Sequence, residues 1–453
     1  MQLNLSSILS ISFSTILAAG FSHNMAAKNL CVRPDGKDGC YSKIQTAVNN
    51  ASANDVINIR PGTYKEDVVV GIPLSLIGAG ADESVIDATG LANGVFVDGL
   101  DHPGLHSVTV AGLTVKNALY EAIVVVSASG VIIRDNKLLN NDQYPPVFTG
   151  AQTGCPGQPA YYTDETGDCG GALHLMGTVD SIVSGNVMSG NADGILMSDE
   201  TGETRGNLIT HNAVTNNPLD CGLTLASHPP AGHAAPPFAP HFGVHHNTLS
   251  ENIVSGNGVL VQGAGVGLFT DGAGAGRMSE NVIIHNILTG NGTGGVALHS
   301  HVGPAFGLPA DDMSGNMIIG NFIAGNLADT GDTATPGSVG INISSGGGGS
   351  PVVGTVISGN VIRDEDVDIA INTPAAVDIH LNDLLGDKVG VADVCAFDMA
   401  TVCTGSISAT LNYWGCLAGP GSKACTTTSG KSIVSNPWVQ KPNADDSDHE
   451  HHE

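Results

Sequence analysis

Along most of this chain, apolar positions come in short alternating runs that stop at asparagine and begin again. The pattern apolar–apolar–x–x–Asn–x–apolar–x–x–Asn recurs seven times. It reads IIRDNKLLNN at Ile132 to Asn141, IVSGNVMSGN at Ile182 to Asn191 and LITHNAVTNN at Leu208 to Asn217. LSENIVSGN (Leu249 to Asn257), IIHNILTGN (Ile283 to Asn291) and IIGNFIAGN (Ile318 to Asn326) follow, and VISGNVIRDE (Val356 to Glu365) puts Glu365 where the second asparagine stood. Each copy predicts two short strands joined by a corner. Asparagine tolerates the left-handed backbone that a corner demands, and its amide can stack on the asparagine one turn above. Repeats of a few tens of residues cannot bury their own apolar faces and must stack on one another.

That combination describes a right-handed parallel β-helix, and from about Cys31 to Trp438 the chain resembles the pectate-lyase-like superfamily in architecture. The expected fold is all-β: a single-domain solenoid with a short N-terminal helical cap in YSKIQTAVNNA (Tyr41 to Ala51) and a C-terminal cap holding Trp414 and Trp438. Composition agrees. The 61 glycines suit corners, and only 4% aromatic and 13% charged residues fit a coil filled with mid-sized aliphatics. Residues 1–27 read as a signal peptide, 28–440 as the β-helix and 441–453 as a disordered acidic, His-rich tail. No other segment is long and apolar enough to insert in a membrane. The net charge of −27 argues against nucleic acid and against unassisted polyanions, although a bridging cation would admit an anionic polysaccharide. Four short-range cysteine pairs, Cys31 with Cys40, Cys155 with Cys169, Cys395 with Cys403 and Cys416 with Cys425, suit a secreted or periplasmic protein. Cys221 is left over and reads as an inward-facing core thiol.

A second register follows each asparagine motif. Aligned on their first glycine, GILMSDE (Gly194), GLTLASH (Gly222), GVGLFTD (Gly265), GVALHSH (Gly295) and GINISSG (Gly340) place aliphatics inward at the first and third following positions. GALHLMG at Gly171 fits this alignment with an uncertainty of one residue, which leaves His174 unplaced. The sixth position reads Glu200, His228, Asp271, His301, with Asp199 and His299 beside it. This predicts a polar column on the outer surface, near where the strands end. Nine of the 17 histidines fall between His211 and His301, including His245 and His246 on the long loop after His228. Such loops beside a rigid wall build grooves, and the expected groove comprises Asp199, His299, His301, Arg205, His245 and His246.

Paired carboxylates on such a wall suit glycoside hydrolysis, with Glu200 and Asp271 as acid and base and His228 between them. Two turns of a regular stack separate them by about 9.6 Å, near the upper end of the ~6.5–9.5 Å expected of inverting enzymes. Asn191-Ala192-Asp193-Gly194 and Asp220-Cys221 resemble motifs of polygalacturonase-type hydrolases, which implies catalytic roles for Asp193 and Asp220; Leu219 departs from that pattern, and the family's Gly-His-Gly and Arg-x-Lys motifs are missing. A polysaccharide lyase or C5-epimerase acting on a uronate polymer is the alternative, with Ca2+ on Asp199, Glu200 and Asp271, or another divalent metal such as Zn2+. A third reading is a non-catalytic glycan-binding or structural surface β-helix.

Overall fold

The computed structural model describes residues 27–142, 171–227, 242–261, 263–270, 276–300, 309–331, 334–345, 349–394 and 405–443. Among them the strands form three long sheets of 14, 11 and 12 strands, plus a small sheet of three, and every strand pair within them is parallel. One turn runs through Ile182–Ser184 in the first sheet, Val187–Ser189 in the second and Ile195–Ser198 in the third, then returns through Thr204–Arg205 in the small sheet. The chain is thus a parallel solenoid in which residues 26 apart on neighbouring turns, such as Asn186 and Asn212, lie side by side.

The core is a set of aliphatic stacks. Ile133, Val183, Ile209, Leu249, Ile283 and Ile318 pair in register down the first sheet, all buried. Leu138, Met188, Val214, Val254, Leu288 and Ile323 do the same down the second. Their outward neighbours are polar, small or partly exposed, which is the alternation a half-buried strand requires.

The corners are held by asparagine ladders. Asn252 Oδ1 accepts from the backbone N–H and the Nδ2 of Asn212, each at 3.0 Å. Its own Nδ2 donates to the Ile209 carbonyl and to Asn286 Oδ1, both at 2.9 Å. The same exchange links Asn136, Asn186, Asn212, Asn252, Asn286, Asn321, Asn360, Asn382 and Asn412 into one continuous ladder. A second joins Asn141 to Asn326 and ends on Glu365, and a third joins Asn207, Asn247, Asn281 and Asn316 at the return corner. The ladder asparagines are not themselves left-handed. The residue before each of them is: Asp135, Gly185, His211, Glu251, His285, Gly320 and Gly359 in the first ladder all have positive φ. That residue bends the chain, so the asparagine can turn its amide inward and satisfy backbone groups that the corner would otherwise bury unpaired.

The helix Ile44–Asn49 covers the N-terminal opening with Ile44, Ala47 and Val48, and the Glu66 carboxylate accepts from the N–H groups of Ile44 (2.8 Å) and Gln45 (3.0 Å) at its start. At the other end Trp414 is fully buried and Trp438 packs on the core. Disulfides join Cys31 to Cys40 and Cys416 to Cys425, and no described helix is long and apolar enough to cross a membrane. The other two expected pairs, the expected signal peptide up to residue 26 and the tail from 444 lie outside the described residues.

Candidate functional site on the outer face of the third sheet

Strand register fixes which side chains leave the core of the third sheet. Ile195 and Met197 belong to the core, so Leu196 and Ser198 face outward. His174 pairs with Leu196 and so faces outward too; the aligned position in GALHLMG is Ala172, one residue after Gly171. Just before each strand, Glu121, Gly171, Asp193, Cys221 and Ala264 form a further column, fixed by bonds such as Ile123 N–H to the Ala172 carbonyl and Ala172 N–H to the Asp193 carbonyl. Cys221 is a buried thiol whose Sγ accepts from Ala264 N–H at 3.1 Å, and it packs against Ala264 and Ala297 on this outer face rather than inside the coil.

Here the structure gathers ionisable groups. Glu121 and His174 are both fully buried, with His174 Nδ1 3.6 Å from Glu121 Oε1 and His174 Nε2 2.7 Å from Ser198 Oγ. With its amide turned to donate, Asn93 lies 2.6 Å from Glu121 Oε2. Asp193 is buried against Gly171, where a Cβ would fall 1.9 Å from Asp193 Oδ1. Burial and the negative charges of Glu121 and Asp220 push the carboxyl of Asp142, which is only partly exposed, well above the usual carboxylate range. Burial, then Glu121, raises Asp67 in the same direction. Of the two aspartates expected from motif resemblance, Asp193 lies in the same column two turns from Glu121, and Asp220 is near enough to Asp142 to raise its pKa. Glu121 and Asp142 carry no motif; only their place on the coil, two residues before one strand and one after a ladder asparagine, marks them.

The other expected residues lie elsewhere. Asp193 and Asp199 flank the same strand, about 20 Å apart at ~3.3 Å per residue. Asp199 and Glu200 were expected on an outer column and are instead buried, at 1% and 5% exposure. Asp199 accepts from Ser227 Oγ (3.1 Å) and Gly243 N–H (2.6 Å), so it fastens the returning chain to the end of the sheet. Asp311 does the same several turns on, for Thr270, Gly276, Ser300 and Ser350. His299 faces outward and stacks on Phe269 with ring centroids 5.8 Å apart. Arg205 and His245 sit on the small return sheet, and His246 follows directly at its corner. There Glu203 pairs with Arg205 (2.9 Å) and His245 (3.7 Å), and Glu280 pairs with His246 (2.9 Å). Burial, then Arg277, lowers the His245 pKa. His228, Asp271 and His301 lie outside the described residues. Among the described residues no three His, Cys, Asp or Glu side chains gather closely enough to hold a metal ion. Of the three expected ligands, Asp199 already serves Ser227 and Gly243, Glu200 is buried, and Asp271 is not described.

Residues 89–308 match the family model described as "Right handed beta helix region". Among solved structures, the chain is similar to a mannuronan C-5 epimerase A-module from Azotobacter vinelandii, at 14% identity and TM-score 0.47, covering 88% of this chain and 94% of that one. It is also similar to the catalytic unit of an alpha-1,3-glucanase from Streptomyces thermodiastaticus, at 16% identity and TM-score 0.48, covering 89% and 68%. An alginate lyase from a Paenibacillus species aligns at 12% identity and TM-score 0.42, covering 90% and 99%. No curated protein sequence matches. The stacked parallel sheets and the match over residues 89–308 together show the fold to be a right-handed parallel β-helix.

Proposed function

We propose that this protein is an exported enzyme that hydrolyses glycosidic bonds in a carbohydrate polymer lying along the outer face of the third sheet. One observation carries the reading: burial, then the negative charges of Glu121 and Asp220, raises the pKa of Asp142 well above the usual carboxylate range, which favours its protonated form. Glycoside cleavage needs one carboxyl that still carries its proton at working pH, to protonate the departing oxygen, and another that is ionised to activate water or stabilise positive charge. Asp142 takes the first role. Asp220, whose Oδ1 accepts from Cys221 N–H at 2.6 Å, or Asp193 takes the second. The wall repeats along the solenoid axis, so a polymer can contact several turns at once. Two short-range disulfides fit export.

The test is a product assay over neutral and uronate polysaccharides, with and without EDTA, reading reducing ends and absorbance at about 235 nm. New reducing ends without that absorbance, lost in Asp142→Asn by a factor of roughly 10²–10⁴, are expected. Activity should also fall on the alkaline side as Asp142 loses its proton. Absorbance abolished by EDTA would instead establish cation-assisted β-elimination. Silence across the panel would leave a binding or structural role.

A further inference from the structure

We propose that Glu121, His174 and Ser198 form a nucleophilic relay that removes acyl groups from O-acylated carbohydrate, a second activity on the same face. The three side chains come from consecutive turns, around the paired strands Ile123–Val126, Leu173–Met176 and Ile195–Ser198. They form a diagonal, because each sits further along its strand than the one before. The order is carboxylate, imidazole, hydroxyl. His174 Nε2 is 2.7 Å from Ser198 Oγ, and His174 Nδ1 is 3.6 Å from Glu121 Oε1. With Nδ1 protonated toward Glu121, Nε2 is the acceptor for the serine proton, the arrangement that activates a hydroxyl nucleophile. Asn93 orients Glu121 from behind. Thr204 Oγ1 donates to the Ser198 carbonyl at 2.5 Å and fixes the backbone that carries the nucleophile.

The surroundings select the substrate class. Leu196, Ala226 and Phe269 form an apolar cluster on one side, and Val124, Val126 and Met176 form another. These apolar flanks suit a small apolar acyl group such as acetyl, with the sugar oxygen as leaving group. Ser198 Oγ bonds to the acyl carbon while its proton passes to His174 Nε2. The C–O bond to the sugar then breaks, and the sugar oxygen takes that proton. Water, with His174 again as base, releases the carboxylic acid and restores the serine.

The experiment treats the full-length protein with a small fluorophosphonate and maps the adduct by peptide mass spectrometry, alongside acetate release from an acetylated polysaccharide. An adduct on Ser198, and acetate release that falls at least a hundredfold in Ser198→Ala and in His174→Gln, are expected. Ser198→Cys, which keeps a nucleophile in place, should be alkylated by iodoacetamide at that position, and melting curves show whether each variant is folded. No adduct on Ser198 in the wild type, or acetate release unchanged in a folded Ser198→Ala, overturns the proposal. The adduct needs no glycosidic cleavage, so this outcome and that of the Asp142 test are read separately.

Discussion

The corner between the first and second sheets and the outer face of the third sheet both bury polar groups, yet they are built on opposite plans. At the corner, one side chain is repeated from Asn136 to Asn412, and each copy gives and receives the same hydrogen bonds. On the outer face, the pre-strand column reads Glu121, Gly171, Asp193, Cys221, Ala264, and no two neighbours are alike. Uniform amides satisfy one another and cost nothing in charge. Dissimilar ionisable groups push one another's proton affinities apart, and that is what acid–base chemistry needs. Repetition marks where the molecule is held, and variation marks where the proposed site lies.

The comparison breaks first if a ladder rung is dispensable. Asn252→Ala removes the acceptor for two Asn212 groups and the donor to the Ile209 carbonyl, and should cost roughly 3–5 kcal/mol in urea unfolding. A loss below about 1 kcal/mol would mean that the ladder is decoration.

The end of the second ladder is the next test. Glu365 is fully buried and its Oε1 accepts from both nitrogens of Asn326, while burial raises its pKa to about 7. The folded state therefore holds this proton more tightly than the unfolded chain. Its contribution is complete below the unfolded pKa near 4.5 and disappears as pH rises through about 7. Across that window the wild type should lose roughly 3 kcal/mol relative to Glu365→Gln, which keeps an acceptor without the charge. Parallel unfolding midpoints for both proteins at pH 5 and pH 8 would refute the assignment.

Smaller still is Gly325→Ala. Gly325 has φ 61° with open space around it, so the backbone alone is charged, at about 1 kcal/mol. Gly325→Asn should lose less than that, because asparagine visits this conformation more readily. In mild acid the smallest effect on stability belongs to Asp142→Asn on the outer face. Its melting temperature should be unchanged there and higher than wild type in mild alkali, since the amide has no charge to bury and feels no repulsion from Glu121 and Asp220. A variant that loses turnover and also melts early would place Asp142 among the structural groups.

The corners were readable in advance because their rule is periodic: Asn136, Asn186 and Asn212 announce themselves by recurrence. Asn382 and Asn412 extend the same ladder from segments without the full motif, and the return-corner ladder follows only short strands such as Thr204–Arg205, so both emerge only from the register. The left-handed residue lies one position earlier than expected, because backbone direction and side-chain direction are set by different residues. The site was harder to read. Local resemblance points to Asp193 and Asp220 as candidates, whereas the pairing of His174 with Glu121 depends on turns of unequal length coming into line. Asp199 and Glu200 looked like a surface column because alternation along a strand says which side a residue faces, not whether that side is covered.

Successive rungs of the first ladder are separated by anything from 22 to 50 residues, and the amides still meet. The extra chain is taken up between rungs, and the next asparagine restores the count. A lineage built on this scheme can lengthen, shorten or exchange one excursion at a time without re-solving the fold. New specificity then arises by editing a single rung's worth of chain, and the same property makes this scaffold suited to grafting loops from one coil to another.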